Sequence, residues 1–352
     1  MPDAYSVAGV DIDKANETVE RYQQIMRQRR DPRVLRGIGG FSGCFELSGF
    51  NNPVLVASSD GVGTKVLVAA ALDRYDTVGQ DLVNHCVNDI LCSNATPLFF
   101  LDYLAMGALQ PDAAATIVHG IALACDRNDV ALLGGETAEM PGVYTPPHFD
   151  IAGTIVGAVE RADLLDFGSV AAGDAIVGLP ANGLHTNGYS LARKVLPQER
   201  WHEKAGPESD VTIADALLAI HPSYLGYVRA VQRAGVKVKS MAHITGGGLA
   251  QNLPRAIPEH LAARLDSSAW EVPPIAALVA KLARLSAEEA YRTLNMGIGF
   301  CLIVAEREAQ AALSAARAAI AKAPIVGAER QTAAIVGAVE PRHPCGPSVI
   351  IA

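Results

Sequence analysis

Apolar positions along this chain fall into two alternating rhythms. Ala15, Val19, Tyr22 and Met26 recur at steps of three and four, the spacing of one helix face, and Asp13 stands where such a helix would be capped. Pro32 stops it, and a glycine-rich stretch, Gly37-Ile-Gly-Gly-Phe-Ser-Gly43, follows. Pro53-Val-Leu-Val-Ala-Ser58 then reads as a buried strand that runs straight into Asp60-Gly-Val-Gly-Thr-Lys65. The same reasoning predicts helices over 64–73, 77–92 and 112–125, and strands over 98–104, 129–133 and 149–159. Gly134-Gly-Glu-Thr-Ala-Glu-Met-Pro141 reads as a loop between the last two strands. Periodicity fades over 160–173. It resumes with a strand at 174–179, the segment Gly183-Leu-His-Thr-Asn-Gly-Tyr-Ser190, a helix near 222–234 and the triplet Gly246–Gly248. A strand at 298–305, a helix at 306–321 and a strand at 348–351 close the chain. Strands alternating with helices define an α/β protein. The break in pattern divides it into domains of residues 1–168 and 169–352, with a ligand site expected in the cleft between them.

Composition narrows the class of partner. The 352 residues suit about two domains, half of them are hydrophobic, and mean hydropathy is +0.20. A net charge of −8 argues against a nucleic-acid surface, which needs clustered Lys and Arg. The one dense basic run, Arg27, Arg29, Arg30, Arg33 and Arg36, reads as the solvated end of a helix and its exit loop. Apolar runs such as Val66–Leu72 fall far short of the ~18 residues a membrane span requires. No basic-then-apolar leader opens the sequence, and the six cysteines make no C-x-x-C pair or zinc spacing. The reading is a cytoplasmic protein with reduced thiols, bound to neither nucleic acid nor membrane.

Several familiar sites fail on inspection. The Gly37 stretch has Ser42 where a dinucleotide fingerprint needs its third glycine, and no strand precedes it. Gly61-Val-Gly-Thr-Lys65 lacks the ending of a P-loop, and neither a nucleophile elbow nor H-E-x-x-H occurs.

Five segments carry chemistry. In Ser58–Lys65, Asp60 offers a hard oxygen ligand for Mg²⁺, the glycines let backbone N–H groups approach phosphate, and Lys65 supplies positive charge; the plain alternative is a tight turn with a solvated lysine. The helix over 77–92 sets Asp81, Asn84, His85, Asn88 and Asp89 opposite an apolar face, with no Lys or Arg among them, which suits a cation as well as solvent. Glu136, in Gly134–Pro141, is a further metal or hydroxyl ligand, or part of a polar turn. His185-Thr-Asn-Gly-Tyr-Ser190 offers an imidazole, an amide and a helix N-terminus, and His243-Ile-Thr-Gly-Gly-Gly248 again joins a strand end to a helix start.

These segments, in this order, resemble the phosphoribosylformylglycinamidine cyclo-ligases, also called aminoimidazole ribonucleotide synthetases. The likeness runs from Tyr5-Ser-Val-Ala-Gly-Val-Asp-Ile-Asp13 through GIGGFSG, SDGVGTK, CVNDIL, PLFFLDY, LLGGETAEMPG, HTNGYSL, HITGGGL and MGIGF. Thr186 stands where the family commonly has Ser, and His221-Pro-Ser replaces a common P-T. The resemblance implies two α/β domains with mixed sheets, the N-terminal domains pairing into a barrel in a homodimer. It implies that ATP phosphorylates the formyl oxygen of formylglycinamidine ribonucleotide, that the amidine nitrogen closes the ring, and that phosphate leaves. Carried onto this sequence, Asp60 and Asp89 hold Mg²⁺. Gly39, Gly40, Gly61, Gly63, Thr64, Lys65 and Glu136 hold ATP, with Lys65 as the triphosphate clamp. His185, Thr186, Asn187, Gly246, Gly247 and Gly248 face a small phosphorylated substrate, and Lys65 and His185 are the catalytic candidates. The long apolar strand over 149–159 adds an argument for the dimer, as an edge that needs covering. Related enzymes on the same scaffold fit less well: selenophosphate synthetase needs a reactive N-terminal Cys beside a Lys, and hydrogenase-maturation dehydratases end in a reactive Cys. This chain ends Ile-Ile-Ala352.

Overall fold

The computed structural model describes residues 11–27, 31–37, 40–207 and 209–352. The chain divides into two compact units, Met1–Ile90 with Ala95–Asp163, and Leu91–Asn94 with Leu164–Ala352. The division expected after residue 168 thus lies after Asp163.

The first unit opens with helix α1 (Ile12–Arg27). Its N-terminal N–H group at Lys14 donates to Asp11 Oδ1 at 3.1 Å, so Asp11 rather than Asp13 is the cap. The short hairpin β1 (Val34–Arg36) and β2 (Cys44–Phe45) follows. A four-stranded mixed sheet is then built from β3 (Pro53–Gly61), β4 (Thr96–Met106), β5 (Ala131–Glu139) and β6 (Phe149–Glu160), in the order β3-β6-β4-β5. The helices between them are α2 (Lys65–Leu72), α3 (Val78–Leu91) and α4 (Pro111–Arg127). β6 runs antiparallel to β3 and β4, and β5 is parallel to β4, so β3, β4 and β5 all end at the same edge.

Two expectations change here. Gly134–Glu139 is not a loop: β5 continues through it, with Leu101↔Gly134 and Tyr103↔Glu136 in register after a bulge. Pairing with β4 overrides the local turn preference of the glycines, and Gly135 is needed for another reason, since a Cβ there would lie 2.2 Å from Asp102 Oδ1. Strand β6, expected at an edge, is paired on both sides. Its glycines have packing reasons as well. A Cβ on Gly153 would strike the Phe100 ring and one on Gly157 would strike Ile90, which lets α3 lie close on the sheet. The face opposite carries exposed Leu55, Leu101 and Tyr103, the first 63% exposed.

The second unit holds a six-stranded sheet of β7 (Ala175–Pro180), β8 (Val238–His243), β9 (Leu261–Leu265), β10 (Ile298–Val304), β11 (Ala334–Pro341) and β12 (Val349–Ile351), ordered β12-β9-β11-β7-β10-β8. Its helices are α5 (Tyr189–Val195), α6 (Ile213–Leu217), α7 (Leu225–Arg233), α8 (Gly248–Asn252), α9 (Pro274–Ala283), α10 (Ala287–Thr293) and α11 (Ala309–Lys322). β7 and β10 are buried at every position because the sheet has a core on each face. Val177, Leu179, Leu302 and Val304 pack with Val228, Val231, Ala312 and Ile320 on one side. Ile176, Cys301 and Ile303 pack with Leu249, Leu253 and Val336 on the other. β10 is antiparallel to both β7 and β8, so Pro180 and His243, the ends of those two strands, lie at one edge. Among the described residues no helix is long and apolar enough to cross a membrane.

Candidate functional site

The first cluster forms where β3 ends. Asp60 sits at that end with its side chain about half exposed (47%), and Gly61 N–H donates to its Oδ1 at 2.7 Å. His85 Nε2, on α3, lies 2.7 Å from Asp60 Oδ2. One helical turn further on, Asp89 Oδ2 accepts from Ser58 Oγ at 2.9 Å. One ligand atom from each of Asp60, His85 and Asp89 lies within 4.8 Å of the others. Burial raises the Asp60 carboxyl, but the hydrogen bond and charge of His85 outweigh it and hold the group below its ordinary range. Burial likewise opposes the charge on His85, while Asp60, Asp89 and Asp81 together hold its pKa above the usual value. Two carboxylates with a buried imidazole between them suit a divalent cation: Mg²⁺ takes oxygen ligands, and a second-row partner that orients one of them is the usual support.

The polar stripe of α3 is therefore not solvated. Asp81, His85 and Asn88 are buried, and the segment 58–65 reaches Asp81, His85 and Asp89. Lys65, expected as the triphosphate clamp, is turned inward on this segment. Its side chain has no solvent exposure, and its Nζ lies 2.7 Å from Asp81 Oδ2, itself fully buried. Burial pulls the Lys65 ammonium down from its ordinary pKa and Asp81 opposes that fall. Gly63, at φ +56°, makes the left-handed turn that swings the chain from β3 into α2, and Thr64 precedes the helix. A Cβ on Gly61 would sit 3.0 Å from the Ile151 carbonyl.

At the same edge Glu136 stands exposed on β5 opposite Tyr103. Asp102, a residue the sequence reading passed over, pairs with Gly153 on one side and Gly135 on the other. Burial, with the charge of Glu136 added, pushes its carboxyl up to about 7. Its signal in the sequence was a lone acid inside the apolar run Leu98–Leu104. Gly40 lies exposed beside the Arg36 side chain, and Gly39 falls outside the described residues.

The second cluster occupies the shared edge of β7 and β8. His185 and Thr186 are buried rather than displayed. The His185 ring stacks on His221 at 4.2 Å, and His221 Nε2 lies 3.1 Å from His243 Nε2. His185 takes a left-handed φ of +60°, which a strand-to-helix turn imposes here. The chain places Asn187 against Gly246: a Cβ there would lie 3.2 Å from Asn187 Oδ1. Gly247 and Gly248 have φ of +91° and +58°, and a Cβ on Gly248 would strike the Tyr291 carbonyl. Asn252 Nδ2 donates to the carbonyls of Gly246 and Gly248, fixing the triplet's course. The sequence-predicted residues of the C-terminal unit thus come together, and His221 and His243 join them.

Comparison with known proteins gives the class first. The profile for the AIR synthase related protein, N-terminal domain, matches residues 44–159, and that for the C-terminal domain matches residues 171–342. Among solved structures, thiamine-monophosphate kinase from Stenotrophomonas maltophilia superposes with a TM-score of 0.63 at 18% identity, covering 95% of each chain. The hydrogenase maturation protein HypE in complex with ATP superposes at 0.62 and 18% identity, covering 93% of this chain and 88% of that one. At such identities the likeness establishes the fold, a two-unit AIR synthase-type α/β protein. Curated relatives are closer. The phosphoribosylformylglycinamidine cyclo-ligase of Desulfitobacterium hafniense is 49% identical over 86% of this chain and 89% of its own length. That of Carboxydothermus hydrogenoformans is 47% identical over 92% and 95%. The chain belongs to the phosphoribosylformylglycinamidine cyclo-ligase family.

Proposed function

We infer that the protein closes formylglycinamidine ribonucleotide into aminoimidazole ribonucleotide at the expense of ATP, within purine biosynthesis. Nearly full-length identity to relatives of that name carries the reading. In this reaction ATP phosphorylates the formyl oxygen, the ribosyl-bearing amidine nitrogen attacks the activated carbon, and phosphate leaves with that oxygen. ADP is the other product. Phosphoryl transfer asks for positioning and charge neutralisation, not for a protein nucleophile. The thiols fit that view, since burial pushes both Cys86 and Cys301 far up, out of the reactive range.

Mg²⁺, when bound, neutralises charge on the triphosphate. Asp60 and Asp89 are the residues that hold it, and His85 keeps Asp60 turned towards it. Glu136 and the backbone of Gly61 and Gly63 meet the nucleotide, with Gly40 beside it. His185, Thr186, Asn187 and the Gly246–Gly248 backbone meet the phosphorylated substrate. The compartment this reading assigns is the cytoplasm.

The deciding experiment labels the formyl oxygen with ¹⁸O and weighs the released phosphate by mass spectrometry. One labelled atom per phosphate is expected. Label in water instead means direct dehydration, and the phosphorylation route falls.

Two copies pair through the open face of the N-terminal sheet. The support is the row of exposed apolar side chains, Leu55, Leu101 and Tyr103, on that face in the single chain. Ultracentrifugation at micromolar concentration should give a dimer, and an active monomer would end the shared-barrel picture.

A further inference from the structure

We propose that Lys65 and Asp81 are positioning residues, a buried strut that sets the distance between the two cation-binding carboxylates. The proposal rests on the assignment of Asp60 and Asp89 to the cation. It begins from a correspondence of three pairs. Segment 58–65 and helix α3 run past each other in opposite senses, and they are joined at three heights: Ser58 to Asp89, Asp60 to His85, and Lys65 to Asp81. Residues 81, 85 and 89 are successive members of one helix stripe, four apart, spanning about 12 Å along the axis.

The three joints differ in what they permit. The Ser58–Asp89 contact is a single hydroxyl donor, and Asp60 is half exposed, so both have water as an alternative. Water does not reach Lys65 or Asp81, because both side chains are fully buried. Separating them leaves a charge in a low-dielectric interior, which is far costlier than losing a surface pair. The pair therefore fixes how the segment lies on the helix. Gly63 supplies the left-handed turn that sends Lys65 inward, and α2 is packed behind it through buried Val66, Val68 and Ala69. Asp60 sits on the fixed segment and Asp89 on the fixed helix, so their separation follows from the strut. A lysine held this way carries its charge to Asp81 and not to a phosphate.

The test uses the full-length protein and Mn²⁺, whose binding is read by loss of the free-ion EPR signal. Lys65→Met and Asp81→Leu each remove one side of the buried ion pair, and each should weaken Mn²⁺ binding about tenfold and lower kcat about a hundredfold, as misplacement by an ångström does. In Lys65→Met/Asp81→Leu an apolar contact replaces the pair, and both quantities should recover about tenfold over the worse single variant. A triphosphate clamp predicts the reverse: Lys65→Met and the double variant equally inactive, with Mn²⁺ binding intact. That pattern overturns the proposal, as does a double variant that fails to fold. A role in stability alone also overturns it, and would show as a lowered Tm with unchanged Mn²⁺ affinity. Asp60→Asn separates the two levels. If it leaves Mn²⁺ binding unchanged, the cation assignment itself falls; if it abolishes binding while Lys65→Met does not, only the strut falls.

Discussion

The two units place their candidate residues at the same kind of position, the ends of parallel strands, but build them from opposite materials. In the N-terminal unit charge does the fixing. Asp60, Lys65, Asp81, His85 and Asp89 form linked pairs along one helix, and their geometry follows from which charge must meet which. In the C-terminal unit the backbone does it. His185, Gly247 and Gly248 take left-handed conformations, stacked histidines fill the space beneath, and Asn252 ties down the glycine carbonyls. A site for metal and triphosphate needs fixed charge; a site of imidazole, hydroxyl and amide donors needs fixed direction. The contrast teaches that one fold edge can be prepared for either task, and that substitutions should fail differently in each.

The largest effect is expected from Asp60→Asn, which should lower turnover by at least ~10²-fold while circular dichroism stays native. Normal turnover in the folded variant would remove the charged cluster from the chemistry. Gly248→Ala attacks the other kind of site. Its Cβ would lie 2.2 Å from the Tyr291 carbonyl at a φ of +58°, so about 1–3 kcal/mol of stability should go. The KM for the nucleotide substrate that is cyclised should rise and that for ATP should not. A rise in both alike would mean that the backbone cluster does not discriminate between the two ligands.

A smaller and pH-dependent effect is expected at Asp102. Its folded pKa, about 7, stands above the ordinary carboxylate value of 3.8, so the folded state holds the proton more tightly. That contribution to stability is fully present below pH 3.8 and is lost as pH rises through 7. Asp102→Asn mimics the neutral form, and should raise Tm by several degrees at pH 8 and by less than half as much at pH 5. Equal shifts at both pH values would show that the carboxyl is ionised throughout. The smallest effect belongs to Cys301→Ala: activity within about twofold of wild type, with ~1 kcal/mol or more of stability lost from a tightly packed core. Inactivity in the folded variant would point to thiol chemistry that the buried position argues against.

Much of this was legible beforehand. The strands at Pro53–Gly61 and Phe149–Glu160 follow the hydrophobic period closely, since each alternates between a more and a less buried face, and the helix at Val78–Leu91 shows in the period of its apolar residues although its polar stripe is buried as well. The Gly134–Glu139 loop reading failed because glycines that signal a turn locally are here the positions where Asp102 and the neighbouring strand need room.

The sequence by itself determined the elements, the order of motifs, the family, and which residue types gather at the strand ends, because those depend on periodicity and on chemistry carried by each residue. Only the tertiary structure decided what each charge faces. Nothing in Gly61-Val-Gly-Thr-Lys65 says whether its lysine points to solvent or inward, since helix α3, sixteen residues on to Asp81, supplies the partner that makes burial possible. Nor does the isolated Asp102 declare its raised pKa, which comes from the desolvation and the Glu136 charge that only the folded sheet assembles. Burial and pairing are properties of neighbours in space, and long-range contacts choose them.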